Sequence, residues 1–103
     1  MIYSIEEITE KIRPIAERHG LKEVYLFGSY ARGDATDESD VDLLFRQSER
    51  HGLFWLSGLY NALSGALHKE VDLVEINALE RERGTPLGGR FVEEVELDRR
   101  RII

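Results

Sequence analysis

Three aspartates carry the chemistry that this sequence is equipped to do. Asp40 and Asp42 stand two apart in Ser39-Asp40-Val41-Asp42-Leu43, and Asp72 stands in Val71-Asp72-Leu73, a repeat of the tripeptide Val41-Asp42-Leu43. On an extended strand, residues two apart share a face with their Cα atoms roughly 6.5 to 7 Å apart. Carboxylates are poor strand formers, and two on one face of an otherwise apolar strand repel each other and lose hydration unless a cation offsets both. If the two strands are neighbours, three carboxylates converge. Oxygen donors with no histidine or cysteine beside them favour hard cations, Mg²⁺ or Mn²⁺, over zinc. An isolated Asp-x-Asp is equally the wet face of an edge strand, and a lone aspartate is more often a polar surface residue than a ligand.

Gly28 and Ser29 follow directly on the apolar run Val24-Tyr25-Leu26-Phe27. A tight turn from strand into helix leaves backbone N–H groups unpaired; glycine lets a ligand approach them, and the serine hydroxyl adds a donor where the helix dipole favours an anion. That combination suits phosphate, although Gly-Ser alone also reads as a turn with an N-cap serine. The histidines, His19, His51 and His68, have no metal-ligand spacing and read as surface or helix-end residues.

These residues need elements to hold them. Ile5, Ile8, Ile12, Ile15 and Ala16 mark one face of a helix over Ser4 to His19, with Ser4 and Glu7 as a capping box and Gly20 as a left-handed stop. Pro14 inside it predicts a kink or two short helices. Strands are expected over Glu23–Phe27, Asp40–Phe45 and Glu70–Val74, the second with Val41, Leu43 and Phe45 on one face and Asp40, Asp42 and Leu44 on the other. A helix from about Leu53 to His68 is expected, with Leu53, Leu56, Tyr60, Leu63 and Leu67 on one apolar face that Phe54 and Trp55 widen and that core packing would bury. Asn77 is a candidate N-cap for a short helix over Ala78 to Arg83, whose charged residues from Glu80 onward read as a solvent face; Gly84, Pro86, Gly88 and Gly89 interrupt the chain beyond it. Phe91, Val92, Val95 and Leu97 suggest a helix and then a short strand, and Asp98 to Arg101, with Arg99-Arg100-Arg101, reads as a solvated charged end. The order predicts an α/β (α+β) fold, a small mixed sheet with helices packed on it.

With 103 residues, 42% hydrophobic and 33% charged, the chain is expected to form one domain over 1–103. Fourteen basic against twenty acidic residues, a formal charge of −6, make nucleic-acid binding by phosphate neutralisation unexpected. The absence of cysteine excludes disulfides, thiolate metal sites and cysteine nucleophiles. No signal peptide or membrane-spanning stretch is read from the sequence, so a cytoplasmic protein is expected.

Gly28-Ser29, Ala31-Arg32-Gly33, Ser39-Asp40-Val41-Asp42-Leu43 and Val71-Asp72-Leu73 together resemble the DNA polymerase beta-like nucleotidyltransferase superfamily, most closely its minimal nucleotidyltransferase branch. The resemblance spans about Val24 to Val74. It implies the nucleotidyltransferase fold, nucleotide phosphates at Gly28 and Ser29, and two Mg²⁺ ions, or Mn²⁺, at Asp40 and Asp42. It also implies that Asp72 binds the catalytic metal and helps activate the attacking hydroxyl, and that Arg32 has a phosphate-side or structural role. The implied reaction moves a nucleoside monophosphate, AMP from ATP, to a hydroxyl. The implied acceptor is a tyrosine of a helical HEPN-class toxin, with this chain as antitoxin. Two rivals stay open: an antitoxin that acts by binding alone, and a transferase for small molecules such as aminoglycosides. Three retained carboxylates favour an enzyme, and 103 residues leave no room for the extra domain a small-molecule transferase carries.

Overall fold

A computed structural model describes residues 2–47, 49, 51–82, 84 and 86–103. Helix α1, Ile5–Arg18, opens with the expected capping box: Glu7 N–H donates to Ser4 Oγ at 3.1 Å and Ser4 N–H to Glu7 Oε1 at 2.8 Å. It runs through Pro14 as a single element and not as two short helices. Ile12 and Ile15 on either side of the proline are both buried, and their packing outweighs one missing hydrogen bond. Gly20 then adopts a positive φ of 65° and the chain enters β1, Leu21–Phe27, two residues earlier than expected.

Helix α2, Gly28–Arg32, is a little over one turn long and ends on Gly33 with φ 85°. β2 covers Val41–Gln47, α3 covers Leu53–Leu67 and β3 covers Val71–Glu75. α4 spans Ile76–Glu82, α5 spans Pro86–Asp98 and β4 is Arg100–Arg101. The sheet order is β3-β2-β1-β4, with β2 and β3 parallel and the other pairs antiparallel. This is the small mixed sheet that the element order predicts. Among the described residues no helix is long and apolar enough to cross a membrane.

Both faces of the sheet are covered. Val24, Leu26, Val41, Leu43 and Phe45 meet Ile8, Ile12 and Ile15 of α1 and Leu59, Leu63 and Leu67 of α3 in one core. On the opposite face Phe27 and Leu44 pack against Ile76 and Leu79 of α4 and Val92 and Val95 of α5. Alternation correctly puts Leu44 on the face shared with Asp42, and that face is dry along the strand and polar at its start.

Four expectations need correction. Phe54 is 97% exposed, Leu53 81% and Leu56 37%, because the first turn of α3 overshoots the sheet; Trp55 and Tyr60 do pack against the core. Asn77 lies inside α4, whose start is instead capped by the Glu75 carboxylate, which accepts the Ala78 N–H at 2.8 Å. Gly88 and Gly89 do not interrupt α5, which begins on Pro86, a residue suited to a first helical turn. The arginine-rich end is exposed, as expected, but is not a loose tail: Arg100 and Arg101 pair with Leu26 and Tyr25, while Ile102 and Ile103 pack against the first core. Arg83, the expected end of the fourth helix, lies outside the described residues.

Candidate active site

Sheet register brings the sequence motifs together. Phe27 pairs with Asp42 across the antiparallel β1–β2 ladder, and Asp42 pairs with Asp72 across the parallel β2–β3 ladder. Gly28, Asp42 and Asp72 thus lie in a row over three adjacent strands, at the edge of the core built by Phe27 and Leu44.

Gly28 has φ 71°, in the region that L side chains rarely adopt, and a Cβ there would collide with Asp42 Oδ2 and approach its Cγ to 3.1 Å. The Asp42 carboxylate rests directly against the glycine backbone. Only a residue without a side chain permits that contact. Ser29 is the second residue of α2, and its carbonyl accepts the N–H groups of Gly33 and Asp34, both at 3.0 Å, which closes the turn. With only five residues α2 has little macrodipole, so its attraction for an anion rests on its first N–H groups and the Ser29 hydroxyl.

Asp42 is partly buried and within hydrogen-bonding reach of Asp72. Burial, that hydrogen bond and the charges of Asp72 and Asp40 push its pKa up to about 6, against a smaller opposing pull from Arg32. Asp72 is exposed on the outer strand. Asp40 is exposed too, and it stands just before β2 instead of on it, so the same-face spacing expected of a strand pair does not strictly apply. The described residues contain no closed cluster of three histidine or acidic side chains at metal-ligand spacing. Asp42 and Asp72 are in contact, and Asp40 acts on Asp42 through its charge. This donor set fits a hard divalent cation, since the crowded carboxyls are oxygen ligands whose mutual repulsion such an ion would remove.

Arg32 donates to Asp98 Oδ2 at 2.9 Å through Nη1 and to Asp34 Oδ2 at 3.3 Å through Nε. It lines a cleft of about 300 Å³ with Phe27, Gly28, Ser29, Asp42 and residues of α5. The sequence reading missed this α5 wall, whose residues look like ordinary helix surface until α5 is seen to cover the β1 end of the sheet.

Lys69 and Tyr60 were also missed. Lys69 Nζ donates to the carbonyls of Asp37 and Ser39, at 2.7 and 3.3 Å, and ties the loop that carries Asp40 to the entry of β3. Tyr60 donates to Glu70 Oε2 at 2.6 Å; that hydrogen bond first, then burial and the charges of Glu70, Asp40 and Asp72, raise the pKa of its phenol. Neither has a sequence signal, because each acts across 10 or more residues of chain. His19 and His68 are the C-caps of α1 and α3, His68 lining a cleft that Asp40 also lines, and His51 is stacked on Trp55 at 4.1 Å.

Residues 10–83 match the family model described as "Polymerase beta, Nucleotidyltransferase", and this stretch includes every strand of the acidic row. The chain belongs to that nucleotidyltransferase family. The protein adenylyltransferase MntA of Thermococcus cleftensis is 38% identical to this nucleotidyltransferase over 80 residues, 74% of this chain and 81% of the relative. A solved structure provisionally named a minimal nucleotidyltransferase superposes with a TM-score of 0.68 at 34% identity, covering 95% of both chains. A solved toxin–antitoxin with AMP-PNP shares the fold, with a TM-score of 0.71 at 22% identity over 92% of this chain and 72% of its own. In this nucleotidyltransferase the family match is centred on the elements that carry the aspartates.

Proposed function

We propose that the chain is a Mg²⁺-dependent protein adenylyltransferase that moves AMP from ATP onto a hydroxyl as pyrophosphate leaves. The acceptor in this reading is a tyrosine of a helical HEPN-class toxin, the chain is its antitoxin, and it works in the cytoplasm as one domain over 1–103. The observation that carries the reading is the row Gly28, Asp42, Asp72 on one sheet face, opening on the cleft beside Ser29 and Arg32. The relative named a protein adenylyltransferase supports the acceptor class, and the shared fold of a toxin–antitoxin holding AMP-PNP supports the nucleotide and the partner.

Gly28 lets the Asp42 carboxylate sit against the turn into α2, beside the first N–H groups of that helix, where Ser29 Oγ donates to a phosphate oxygen. Arg32, already held at the cleft by Asp98 and Asp34, supplies positive charge on the phosphate side. Asp42, with its pKa pushed up to about 6, is largely ionised at pH 7 and crowded against Asp72, a repulsion that a bound cation would relieve. Asp72, on the outermost strand, faces the side from which an acceptor hydroxyl arrives. Mg²⁺ or Mn²⁺ held by Asp40, Asp42 and Asp72 would supply neutralisation of the triphosphate and a lowered pKa for that hydroxyl.

Binding and chemistry separate in this arrangement. Asp72→Asn is expected to keep Mg²⁺-dependent binding of a non-hydrolysable ATP analogue while losing AMP transfer by about 10² or more, and Asp42→Asn to lose both. Labelled AMP incorporation into a co-purified partner, with calorimetry alongside, measures the two. Full transfer by Asp72→Asn would sink the assignment. A binding-only antitoxin is favoured by one observation, the exposure of Leu53 and Phe54 as a surface for a partner. No incorporation by the wild type with any triphosphate selects that reading.

A further inference from the structure

Among the described residues, Phe91 is the aromatic side chain of the cleft that faces water. It projects from α5 into the wall opposite Gly28 and Ser29, remains 41% exposed, and lines the same space as Asp42. Its ring is held edge-to-face by the buried Phe27, centroids 6.4 Å apart and planes at 83°. A large apolar ring left in water at the cleft is unfavourable on its own account, and orienting it against Phe27 fixes its direction before any ligand arrives.

The lining of the cleft mixes two kinds of surface. Ser29, Arg32 and Asp42 supply polar groups suited to phosphates and their cation, Phe91, Phe27 and Val95 supply an apolar surface, and Glu94 and Asp98 add carboxylates on the α5 side, the latter held by Arg32. A cleft of about 300 Å³ stands at the small end of the range of roughly 300 to 1,000 Å³ for ligand sites, so a ligand that engages the polar groups must place its remaining bulk on the apolar surface. A nucleoside triphosphate has that division of character, with anionic oxygens at one end and a flat π-face at the other.

We infer that Phe91 is the stacking platform for the nucleotide base and the residue that distinguishes a nucleoside triphosphate from a bare polyphosphate. The inference rests on the nucleotide reading given under Proposed function and extends it to a helix outside the motif-bearing half of the chain. Stacking tolerates any base, because every base presents a π-face, so Phe91 sets affinity for the nucleoside without choosing the base.

The test compares two probes on the intact chain by calorimetry: Mg²⁺ with a non-hydrolysable ATP analogue, and Mg²⁺ with inorganic tripolyphosphate. Phe91→Ala is expected to weaken the analogue at least about fivefold while leaving tripolyphosphate unchanged, and Phe91→Trp to restore the analogue. In transfer assays the Ala variant raises KM for ATP with kcat little changed, the mark of binding shared by ground and transition states. Thermal unfolding of Phe91→Leu, which keeps apolar contact with Phe27 but not the ring, controls for loss of α5 packing. Equal weakening of both probes, or an analogue affinity untouched in Phe91→Ala, overturns the platform while leaving the nucleotide reading intact. A wild type that binds neither probe overturns both.

Discussion

At the scale of single residues, two glycines separate conformational need from chemical need. Gly28 and Gly33 flank the same short helix and both have positive φ, 71° and 85°. A Cβ on Gly33 meets nothing within 4 Å, whereas one on Gly28 runs into the Asp42 carboxylate. Gly33→Ala is expected to cost about 1 to 2 kcal/mol, the left-handed penalty alone, and to keep transfer. Gly28→Ala adds displacement of Asp42, so transfer is expected to fall by about 10² or more, the effect of an ångström-scale misplacement. Urea unfolding and AMP incorporation on the two variants check this, and similar losses of transfer in both would mean that the Gly28–Asp42 contact does not matter. The importance of Gly28 was legible as a type and a place in the chain, directly after a buried strand. Its contact with Asp42 was not, because strand register is a property of two segments and not of one. The repeated Val-Asp-Leu was legible for a different reason: identical tripeptides on parallel neighbours fall into register and put both aspartates on one face. Asp40 was over-read, since the strand begins one residue after it.

At the scale of elements, periodicity identified the helices but not how far each one reaches over the sheet. The apolar residues of α3 recur at helical spacing from Leu53 onward, yet Leu53, Phe54 and Leu56 stay exposed while Trp55 and Tyr60 pack on the core and Leu59, Leu63 and Leu67 are its buried line. A hydrophobic pattern states that a face is apolar and does not state that something covers it. Leu63→Ala is expected to lose about 2 to 5 kcal/mol by denaturant unfolding, and Phe54→Ser to stay within about 0.5 kcal/mol of wild type. A large loss in Phe54→Ser would place that ring in a contact within the chain. The final segment was misread for the complementary reason. Arg99 to Arg101 look solvated one by one, but β1 has a free edge and Ile102 and Ile103 have a core to enter, so the chain closes the sheet there. Arg99 spreads its guanidinium over Tyr25 at 4.9 Å, which uses its charge within the fold.

At the scale of the whole molecule, the fold carries a local instability that a bound cation would remove, and pH exposes it. Asp42 titrates at about 6 in the folded chain, where burial and Asp72 hold its proton on, against about 3.9 for an unfolded aspartate. Between those values the folded state keeps a proton that the unfolded state has lost. Stability from this group therefore falls as pH rises from about 4 to about 6, and the full penalty stands at pH 7. Glu23 acts in the opposite sense, its pKa lowered by the Tyr25 hydroxyl and then by Arg46, but it is common to the wild type and an Asp42 variant and cancels in their difference. Without metal, Asp42→Asn is thus expected to gain stability relative to wild type as pH rises through that window and to level off above it. Millimolar MgCl₂ at pH 7 should then raise the melting temperature of the wild type and not of Asp42→Asn, because an ion bound only by the folded carboxylates stabilises that state by mass action. Thermal unfolding of both proteins from pH 4 to 7.5, with and without the salt, measures the two effects together. A difference that is flat in pH would show that Asp42 and Asp72 are not crowded, and equal Mg²⁺ shifts in both proteins would place the ion elsewhere.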